Sequence, residues 1–534
     1  MDCGMRGMGR KGGWKRCGRR GKRGGCGEDG AGRKCGLQRR RSGILYIGIL
    51  VGMIFLHIAA WSSSEFCDWY LEHVFGIWVD TYGRLVGLVP FSVGEVLLGA
   101  GAGFGAVGVL LGAIWLVDRA VARGKRGQKP CGTAGEVRGK GLRRTRAWGK
   151  LQRNRQGKMG VPGEGLGNGR ENRSWLSRAC RAYCRAGLWM LLWAFVLMTL
   201  NCYILYHGSG FSGAYLIGEE REYTFEELAA LRNFVVEQCN RLCCQMPRKE
   251  DGTLFYDGEM LEAAKAAMRH LGETYESLGG FYPTPKPLRS SDFMSQQHIA
   301  GCYYPFSMEA NYNDVMYVMN LPSTLCHELG HLKGYIREDE ANLIGYLACV
   351  QSEDSFFQYS GYLSVLYYVD RDFRQAMESG AGSGSQVSWQ REGSRQSENA
   401  WQKEVAWQKE AIRHSAFMGE RRMWEYPDTS WQAGTLQQDE ALRQESAKTQ
   451  PETQRQEWIQ VQILPQVHAD NIFLTSQERT RIEKDTLLDT EAVDAISDSI
   501  ADASLKLNGV RDGMISYSRV VELLLRYYDI YGYP

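Results

Sequence analysis

Three long apolar runs constrain the fold of this 534-residue chain more than any other feature of its sequence. They cover residues 44–61, 89–117 and 188–206, and no Asp, Glu, Lys or Arg interrupts the first or the third. Each run approaches or exceeds the roughly 20 residues that a helix needs to cross the hydrocarbon core of a bilayer. The second contains only Glu95, near one end, where its carboxylate can reach the membrane interface. The sequence therefore predicts three transmembrane helices.

Positive charge is concentrated beside these runs, although the formal net charge of the whole chain is only +3. Residues 1–43 form a basic, glycine-rich tail that is typical of disorder, and residues 118–187 form a second basic segment. Residues 62–88 carry a single Arg and several acids. Lys and Arg are retained on the cytoplasmic side of membranes, so we expect both basic segments inside and the loop 62–88 outside. With three crossings, everything after residue 206 is then extracytoplasmic.

The basic tail has two interpretations, which imply different partners. Clusters of Lys and Arg can bind nucleic acid. A membrane span follows this tail at once, however, and basic residues beside a span are the usual flank of a transmembrane helix. We therefore expect the lipid bilayer as a partner and no nucleic acid.

The remaining sequence predicts a mainly helical α+β domain that is divided by an insertion. Residues 378–457 are dominated by Gly, Ser, Gln and Glu and contain the repeated hexads AWQKEV and AWQKEA. Such low complexity cannot build a packed core, so we interpret this segment as an insertion. The flanking segments 207–377 and 458–534 are predicted to form one domain. Expected helices cover residues 224–245, 258–271, 340–349, 475–507 and 517–528, and expected short strands cover 299–304 and 309–319.

Residues 327–331 read HELGH, an H-E-x-x-H sequence in a segment with apolar residues at helical spacing. Residues four apart lie on the same face of a helix, so His327 and His331 can both reach one Zn²⁺. Glu328 can then act as the general base toward a zinc-activated water. The alternative is an amphipathic helix with two solvated or hydrogen-bonded histidines. The motif lies outside the apolar runs, which argues against an intramembrane protease.

A second predicted helix follows the motif and offers a third ligand. Glu338 and Asn342 are four residues apart and share a face, so Glu338 could complete the coordination while Asn342 orients an imidazole from behind. Glu340 is a rival ligand in the same acidic turn. The metzincin pattern does not continue, because Arg337 stands where that pattern requires a third histidine.

Other residues could line a cleft beside this motif. In zincins a strand before the motif helix pairs with an extended substrate, and Glu309 and Asn311 could lie on such a strand or on an ordinary edge strand. One tyrosine of the aromatic stretch could donate a hydrogen bond to an oxyanion, and the candidates are Tyr359, Tyr362, Tyr367 and Tyr368. The fifteen cysteines show no clear framework; Cys326 is expected to pack, and His468 to lie at the surface.

HELGH followed by a helix reading E-x-x-A-N resembles the gluzincin metallopeptidases. In the membrane proteases related to the CAAX-prenyl endopeptidases, the first glutamate of E-x-x-A-D is the zinc ligand, so the resemblance implies Glu338 as the ligand. Asn342 replaces the usual aspartate, and the interval between His331 and Glu338 is shorter than in thermolysin-like enzymes. The resemblance implies a zincin-like fold of the gluzincin type.

Three segments of the chain resemble a family of uncharacterised bacterial membrane proteins that is described only as a domain of unknown function. They read YPFSMEAN at 304–311, CHELGHLKGYIREDEAN at 326–342 and SYSRVV at 516–521. The family resemblance identifies no substrate.

These features predict a membrane-anchored zinc metallopeptidase that hydrolyses protein or peptide substrates. A non-catalytic membrane sensor or scaffold with a structural or vestigial zinc site is the alternative. Hydrolysis of peptidoglycan or another envelope polymer would share the metal chemistry and differ in substrate.

Overall fold

The computed structural model describes residues 29–127, 167–218, 221–378, 386–387, 461–486 and 519–533, with isolated positions between 493 and 506. Residues 1–52 and 53–534 form two compact units. Most of the expected disordered tail and of the basic loop 118–187 lies outside the described residues, as does nearly all of the insertion. The first helix, α1 (Asp29–Ser62), nevertheless begins within the segment that was expected to be disordered.

Three helices are long and apolar enough to cross a membrane, as the sequence predicts. They are α1, α5 (Val93–Gly127) and α6 (Gly167–Met198). A π-helical turn (Thr199–Tyr203) and a 3₁₀ turn (Leu205–His207) continue the third helix. The apolar spans cover Arg41–Ser62, Val93–Val121 and Trp175–His207. Within the most apolar 18 residues of each span, 39% of the residues are buried in the third span, 6% in the first and 0% in the second. The third span therefore packs against protein.

Residues 64–87, which the sequence assigns to an outer loop, are helical and are called the connecting helix below. They comprise α2 (Ser64–Tyr70), α3 (Gly76–Trp78) and α4 (Arg84–Gly87), joined by π-helical turns at Leu71–Phe75 and Val79–Gly83. Ser63 caps the first turn by accepting a hydrogen bond from the Phe66 N–H. The sequence predicted the side of the membrane for this segment and no helix within it, because the four-residue spacing of its buried residues differs from the 3.6-residue period of an α-helix.

The domain that follows is built from helices around an apolar core. Its expected first helix is confirmed as α8, with a capping box in which Thr224 and Glu227 bond each other's backbone N–H groups. The motif segment is also helical, and its Leu325, Leu329 and Leu332 are fully buried, each stabilising the fold by about 1.5–3 kcal/mol. The helices are α7 (Gly210–Tyr215), α8 (Phe225–Cys243), α9 (Met260–Thr274), α10 (Ser291–Gln296), α11 (Leu321–Leu332), α12 (Glu338–Val350), α13 (Ser355–Glu378), α14 (Pro465–Asp470), α15 (Ser476–Asp485) and α16 (Val520–Tyr531).

A three-stranded sheet packs against α11. It comprises β2 (Lys286–Pro287), β3 (Gly301–Tyr304) and β4 (Glu309–Tyr312) in the order β2-β4-β3, with β3 antiparallel to β4 and β2 parallel to it. Strand β3 is therefore an edge. The second expected strand ends early, because the buried Asn313 turns the chain by accepting a hydrogen bond from the Val315 N–H.

The two segments that flank the insertion pack together in the folded chain. The start of the insertion also joins the domain, because β5 (Gln386–Val387), inside residues 378–457, pairs antiparallel with β1 (Tyr223–Thr224). In α14, Asp470 accepts hydrogen bonds from Arg248 and from Tyr359, and the hydroxyls of Tyr346 and Tyr528 hydrogen-bond between α12 and α16. These buried polar contacts fix the C-terminal helices onto the core.

Candidate metal centre

The motif helix α11 presents both histidines on one side, as the four-residue spacing requires. Pro322 lies in its first turn, where a missing N–H costs nothing, and Gly334 ends it with a φ of +92°. The rings of His327 and His331 lie 4.6 Å apart between centroids and at 85° to each other. The two imidazoles are therefore adjacent and approach one point from different directions.

Glu338, the first residue of α12, brings a carboxylate to the same point. Its Oε2 lies 3.2 Å from Nε2 of His327 and 3.8 Å from Nε2 of His331. One donor atom from each of the three residues lies within 4.8 Å of the other two. Two imidazole nitrogens and one carboxylate oxygen form the donor set typical of a catalytic zinc site, which keeps one position open. The residues therefore fit a zinc ion.

Hydrogen bonds behind the histidines hold their rings. Nδ1 of His331 lies 2.8 Å from the Tyr335 carbonyl oxygen and can only donate to it, which leaves Nε2 as the acceptor nitrogen. His327 hydrogen-bonds the Asn342 side chain. Nδ2 of Asn342 has no partner among the described residues, so its carbonyl oxygen is the atom that faces the imidazole. This is the arrangement that usually orients metal-binding histidines.

Burial and charge make the two histidines electrostatically different. Burial is the main reason that the pKa of His331 falls to about 4, although the charge of Glu338 opposes the shift. Burial also lowers the pKa of His327, but its hydrogen bond to Glu338 and the nearby carboxylates outweigh burial, and its pKa lies above the ordinary value. His331 is therefore a neutral candidate ligand at physiological pH, whereas His327 holds its proton to a higher pH than an ordinary histidine, and a metal would compete with that proton.

Glu328 lies beside the three donor atoms and is almost wholly buried. Burial raises its pKa to about 8, with the charge of His327 opposing the shift. Its Oε2 has no hydrogen-bond partner among the described residues, which is costly unless a further group occupies the site. A Cβ added to Gly301 of β3 would lie 2.6 Å from its Oε1. The edge strand therefore passes directly over Glu328, and only glycine fits there.

Glu340, the rival third ligand, is held elsewhere. Its carboxylate accepts hydrogen bonds from the Ser212 N–H at 2.8 Å and from the Ser212 hydroxyl at 2.6 Å, and it pairs with Arg337. Burial raises its pKa, and the charge of Arg337 opposes the shift. The structure thus brings Glu338 to the histidines and ties Glu340 to α7. The contact between Glu340 and Ser212 could not be predicted from the sequence, because the two residues lie far apart along the chain.

The two strand residues proposed for a cleft are buried within the sheet. Glu309 forms an ion pair with Lys286 and accepts hydrogen bonds from the backbone N–H groups of Val93 and Gly94, so it anchors β4 to the start of α5. The Asn311 amide donates to backbone carbonyls within the sheet. The expectation that they line a cleft was wrong, since inward-facing positions of a strand pack against its neighbours.

Among the four candidate tyrosines, one lies within electrostatic reach of the centre. The Tyr359 hydroxyl donates to Asp470, and Tyr362 packs edge-on against aromatic rings of α8 and α12. Tyr368 is partly buried; burial raises its pKa, the charge of Arg371 opposes the shift, and the charge of Glu338 adds to it. Sequence reasoning missed Tyr303, whose ring centroid lies 6.2 Å from that of His331. Strand alternation could have found it, since Tyr303 shares a sheet face with Gly301.

The ends of two membrane spans reach this region. The Asn201 side chain donates to the Pro305 carbonyl at 2.8 Å, and the Tyr303 hydroxyl donates to the Asn201 carbonyl at 3.2 Å. Glu95, which was expected to reach the interface, instead accepts hydrogen bonds from the backbone N–H groups of Arg289 and Ser290. The sheet is therefore fastened to both the start of α5 and the end of the third span.

The other singled-out residues play no part in the centre. Cys326, beside His327, is buried, and its thiol faces the Ala264 carbonyl at 3.9 Å, in keeping with a packing role. His468 is partly buried rather than fully at the surface, and burial lowers its pKa. It does not belong to the metal-ligating group found among the described residues.

Comparison with known proteins gives a family match without a function. A family model described as "Protein of unknown function (DUF3810)" matches residues 170–410. The match covers the third span, the sheet and all three candidate ligands, which fits the resemblance to an uncharacterised family. No curated protein and no solved structure matches the chain. The argument for a function therefore rests on the site itself.

Proposed function

We propose that the protein is a membrane-anchored, zinc-dependent metallopeptidase of the gluzincin type. One observation carries the proposal: the donor atoms of His327, His331 and Glu338 converge beside Glu328, a buried carboxylate with an unpartnered oxygen. A purely structural metal site is closed by four protein ligands and has no use for such a carboxylate. This favours catalysis over a sensor or scaffold role.

The roles of the residues follow from their contacts. When bound, zinc would polarise the carbonyl of the scissile bond and lower the pKa of a water molecule. His327, His331 and Glu338 would hold the ion. The Tyr335 carbonyl and Asn342 keep the two imidazoles oriented, so that no reorganisation of the ligands is needed on binding.

Glu328 would move the proton. Burial raises the pKa of its carboxyl group to about 8, so its ionised form is a stronger base than an ordinary carboxylate. That carboxylate would take a proton from the attacking water and then give it to the leaving amine. A positioned acid–base group of this kind typically contributes about 10²- to 10⁴-fold to the rate.

The edge strand supports a polypeptide substrate. The Asn313 N–H donates to the Ala300 carbonyl, so Ala300 is a hydrogen-bonded position of the antiparallel pair β3–β4. Hydrogen-bonded and non-hydrogen-bonded positions alternate along such a pair, so the N–H and C=O groups of Gly301 and Tyr303 point away from β4. An extended peptide could pair with these groups directly above Glu328. A glycan strand has no regular N–H and C=O groups to pair in this way, so the edge favours a peptide over peptidoglycan.

The contacts of the sheet with the membrane spans support an extracytoplasmic location for the domain. Glu309 contacts the start of α5, and Pro305 contacts Asn201 near the end of the third span. These two ends must therefore lie on one side of the membrane, as three alternating crossings require. The basic segments at the opposite ends of the spans favour the extracytoplasmic side for the domain.

The test uses the full-length protein in lipid nanodiscs. We expect one zinc per chain, lost in His331→Ala and Glu338→Ala, together with peptidase activity on unfolded protein that a chelator abolishes. Glu328→Gln should keep zinc and lose activity, whereas the exposed control Glu353→Gln should change neither. Full activity in Glu328→Gln would refute the mechanism. Bound zinc without hydrolysis of any polypeptide would favour the sensor or scaffold.

A further inference from the structure

The connecting helix has an unusual periodicity that separates its faces. Its buried stripe recurs every four residues, at Cys67, Phe75, Val79 and Gly83, and the partly buried Leu71 lies in the same row. A regular α-helix has 3.6 residues per turn and would rotate such a stripe away from one side. The two π-helical turns, at Leu71–Phe75 and Val79–Gly83, widen the helix and keep the stripe aligned. The whole helix therefore presents one continuous face to the domain.

That buried face contacts the domain along its length. The Tyr82 hydroxyl donates to the Phe306 carbonyl at 3.0 Å, and the Arg84 guanidinium lies 3.9 Å from the centroid of the Phe281 ring. A Cβ on Gly334 would lie 2.3 Å from Leu71, so this glycine is pressed against the helix. Gly334 lies in the turn that joins the two ligand-bearing helices. The connecting helix thus supports the candidate metal centre directly.

The opposite face is exposed and carries large apolar side chains. Trp69, Ile77 and Leu85 recur every eight residues on it and are 51%, 61% and 66% exposed. The exposed residues His73 and Thr81 stand between them in the same row. Leu88 and Phe91 extend the same apolar surface beyond the helix, at 81% and 43% exposed. Soluble proteins rarely leave a row of such residues to water, so this row calls for a partner.

One flank of the helix is polar. Beside the apolar row, every fourth position from 68 to 84 is charged except Gly76, and the charged residues are Asp68, Glu72, Asp80 and Arg84. An apolar face bordered by a charged flank, with Trp among its apolar residues, is the pattern of helices that lie in the plane of a membrane interface.

The position of the helix in the chain identifies its partner. Only Ser63 separates it from the span Arg41–Ser62, and five residues separate it from the span Val93–Val121. Both ends are therefore held at a bilayer surface. A segment tethered in this way meets lipid before it meets any soluble protein.

We infer that the connecting helix lies in the headgroup layer of the bilayer and inserts Trp69, Ile77 and Leu85 among the lipids. It forms a membrane-bound base between the lipid surface on one side and the turn at Gly334 on the other. This inference concerns lipid contact alone and holds whether or not the metal centre hydrolyses peptides.

The test is photo-crosslinking in nanodiscs that contain one full-length chain each. The photoreactive residue p-benzoylphenylalanine is introduced at Ile77, at Leu85 or, as a control, at the exposed Glu237 of α8. After irradiation, intact-mass spectrometry counts lipid adducts, and size-exclusion elution with circular dichroism identifies any variant that does not fold.

We expect lipid adducts at Ile77 and Leu85 several-fold above those at Glu237. Adduct yields no higher than at Glu237 would overturn the inference. In native membranes, a crosslink from either position to a second copy of the chain or to another protein, in place of lipid, would also overturn it. Two test positions on separate turns keep the experiment decisive if one substitution disturbs folding.

Discussion

Neutralising Glu309 should detach the sheet from the membrane spans, and the structure gives the size of the effect. Its carboxylate is 3% exposed and pairs with Lys286, which is 5% exposed and also donates to the Val86 carbonyl. The Glu309 carboxylate also accepts hydrogen bonds from the backbone N–H groups of Val93 and Gly94. Glu309→Gln leaves the Lys286 ammonium buried without a counter-charge, a change that typically costs about 3–5 kcal/mol.

The assay is thermal unfolding of the full-length protein in detergent. At about 2–4 °C per kcal/mol, Glu309→Gln should lower the apparent Tm by about 6–20 °C. The double variant Glu309→Gln with Lys286→Met removes both charges and should recover most of that loss, because no unpaired charge remains. The exposed control Glu273→Gln should change the Tm by no more than about 1–2 °C.

Two results would refute this reasoning. A fall of less than about 2 °C in Glu309→Gln would mean that the pair is hydrated and does not anchor the sheet. If the double variant were less stable than Glu309→Gln, the Lys286 ammonium in Glu309→Gln would not be a buried charge without a counter-charge.

Three further substitutions test the centre itself. In chelator-treated protein, Glu328→Gln should raise the free energy of unfolding. The pKa of Glu328 is about 8 in the folded protein and 4.5 ordinarily, so burying its carboxyl group costs nothing below about pH 4.5 and costs most above about pH 8. Urea unfolding across this pH range should therefore show a gain in stability that grows with pH. A gain that does not vary with pH would contradict the burial argument. In competition with a chromogenic chelator, Asn342→Ala should weaken zinc binding about 10- to 100-fold. Asn342→Asp keeps an acceptor oxygen for His327 and should retain the zinc affinity. An equal loss of zinc affinity in both variants would exclude an orienting role for Asn342. Gly301→Ala should keep zinc but lower kcat on the order of a hundredfold, because the new Cβ would displace the Glu328 carboxylate. An unchanged kcat would show that the strand can move enough to make room for the methyl group.

The convergence of the centre could be predicted from sequence because it depends on local geometry. His327 and His331 are one turn apart, and the acidic first turn of α12 follows within a short loop. The choice between Glu338 and Glu340 could not be made from periodicity alone. It depends on Ser212, which is 128 residues away along the chain and captures the Glu340 carboxylate.

The connecting helix and the contacts of two carboxylates could not be predicted, for related physical reasons. The four-residue repeat of the connecting helix fits neither an α-helical nor a strand period, so no helix was predicted there. Glu95 and Glu309 each look like exposed acids in sequence, yet each satisfies backbone N–H groups roughly 200 residues away. Such long-range pairing leaves no local signal.

The attachment of the sheet to two separate spans has a consequence for the biogenesis of the protein. The strand above Glu328 is fixed by Asn201 near the end of one span and, through Glu309, by the start of another. The turn that joins the two ligand-bearing helices contacts the connecting helix, which lies between the first and second spans in the chain. Ribosomes release these parts in sequence, and the ligands emerge last. The centre therefore matures only after every span has been inserted, so that an incompletely inserted chain is left without a finished site.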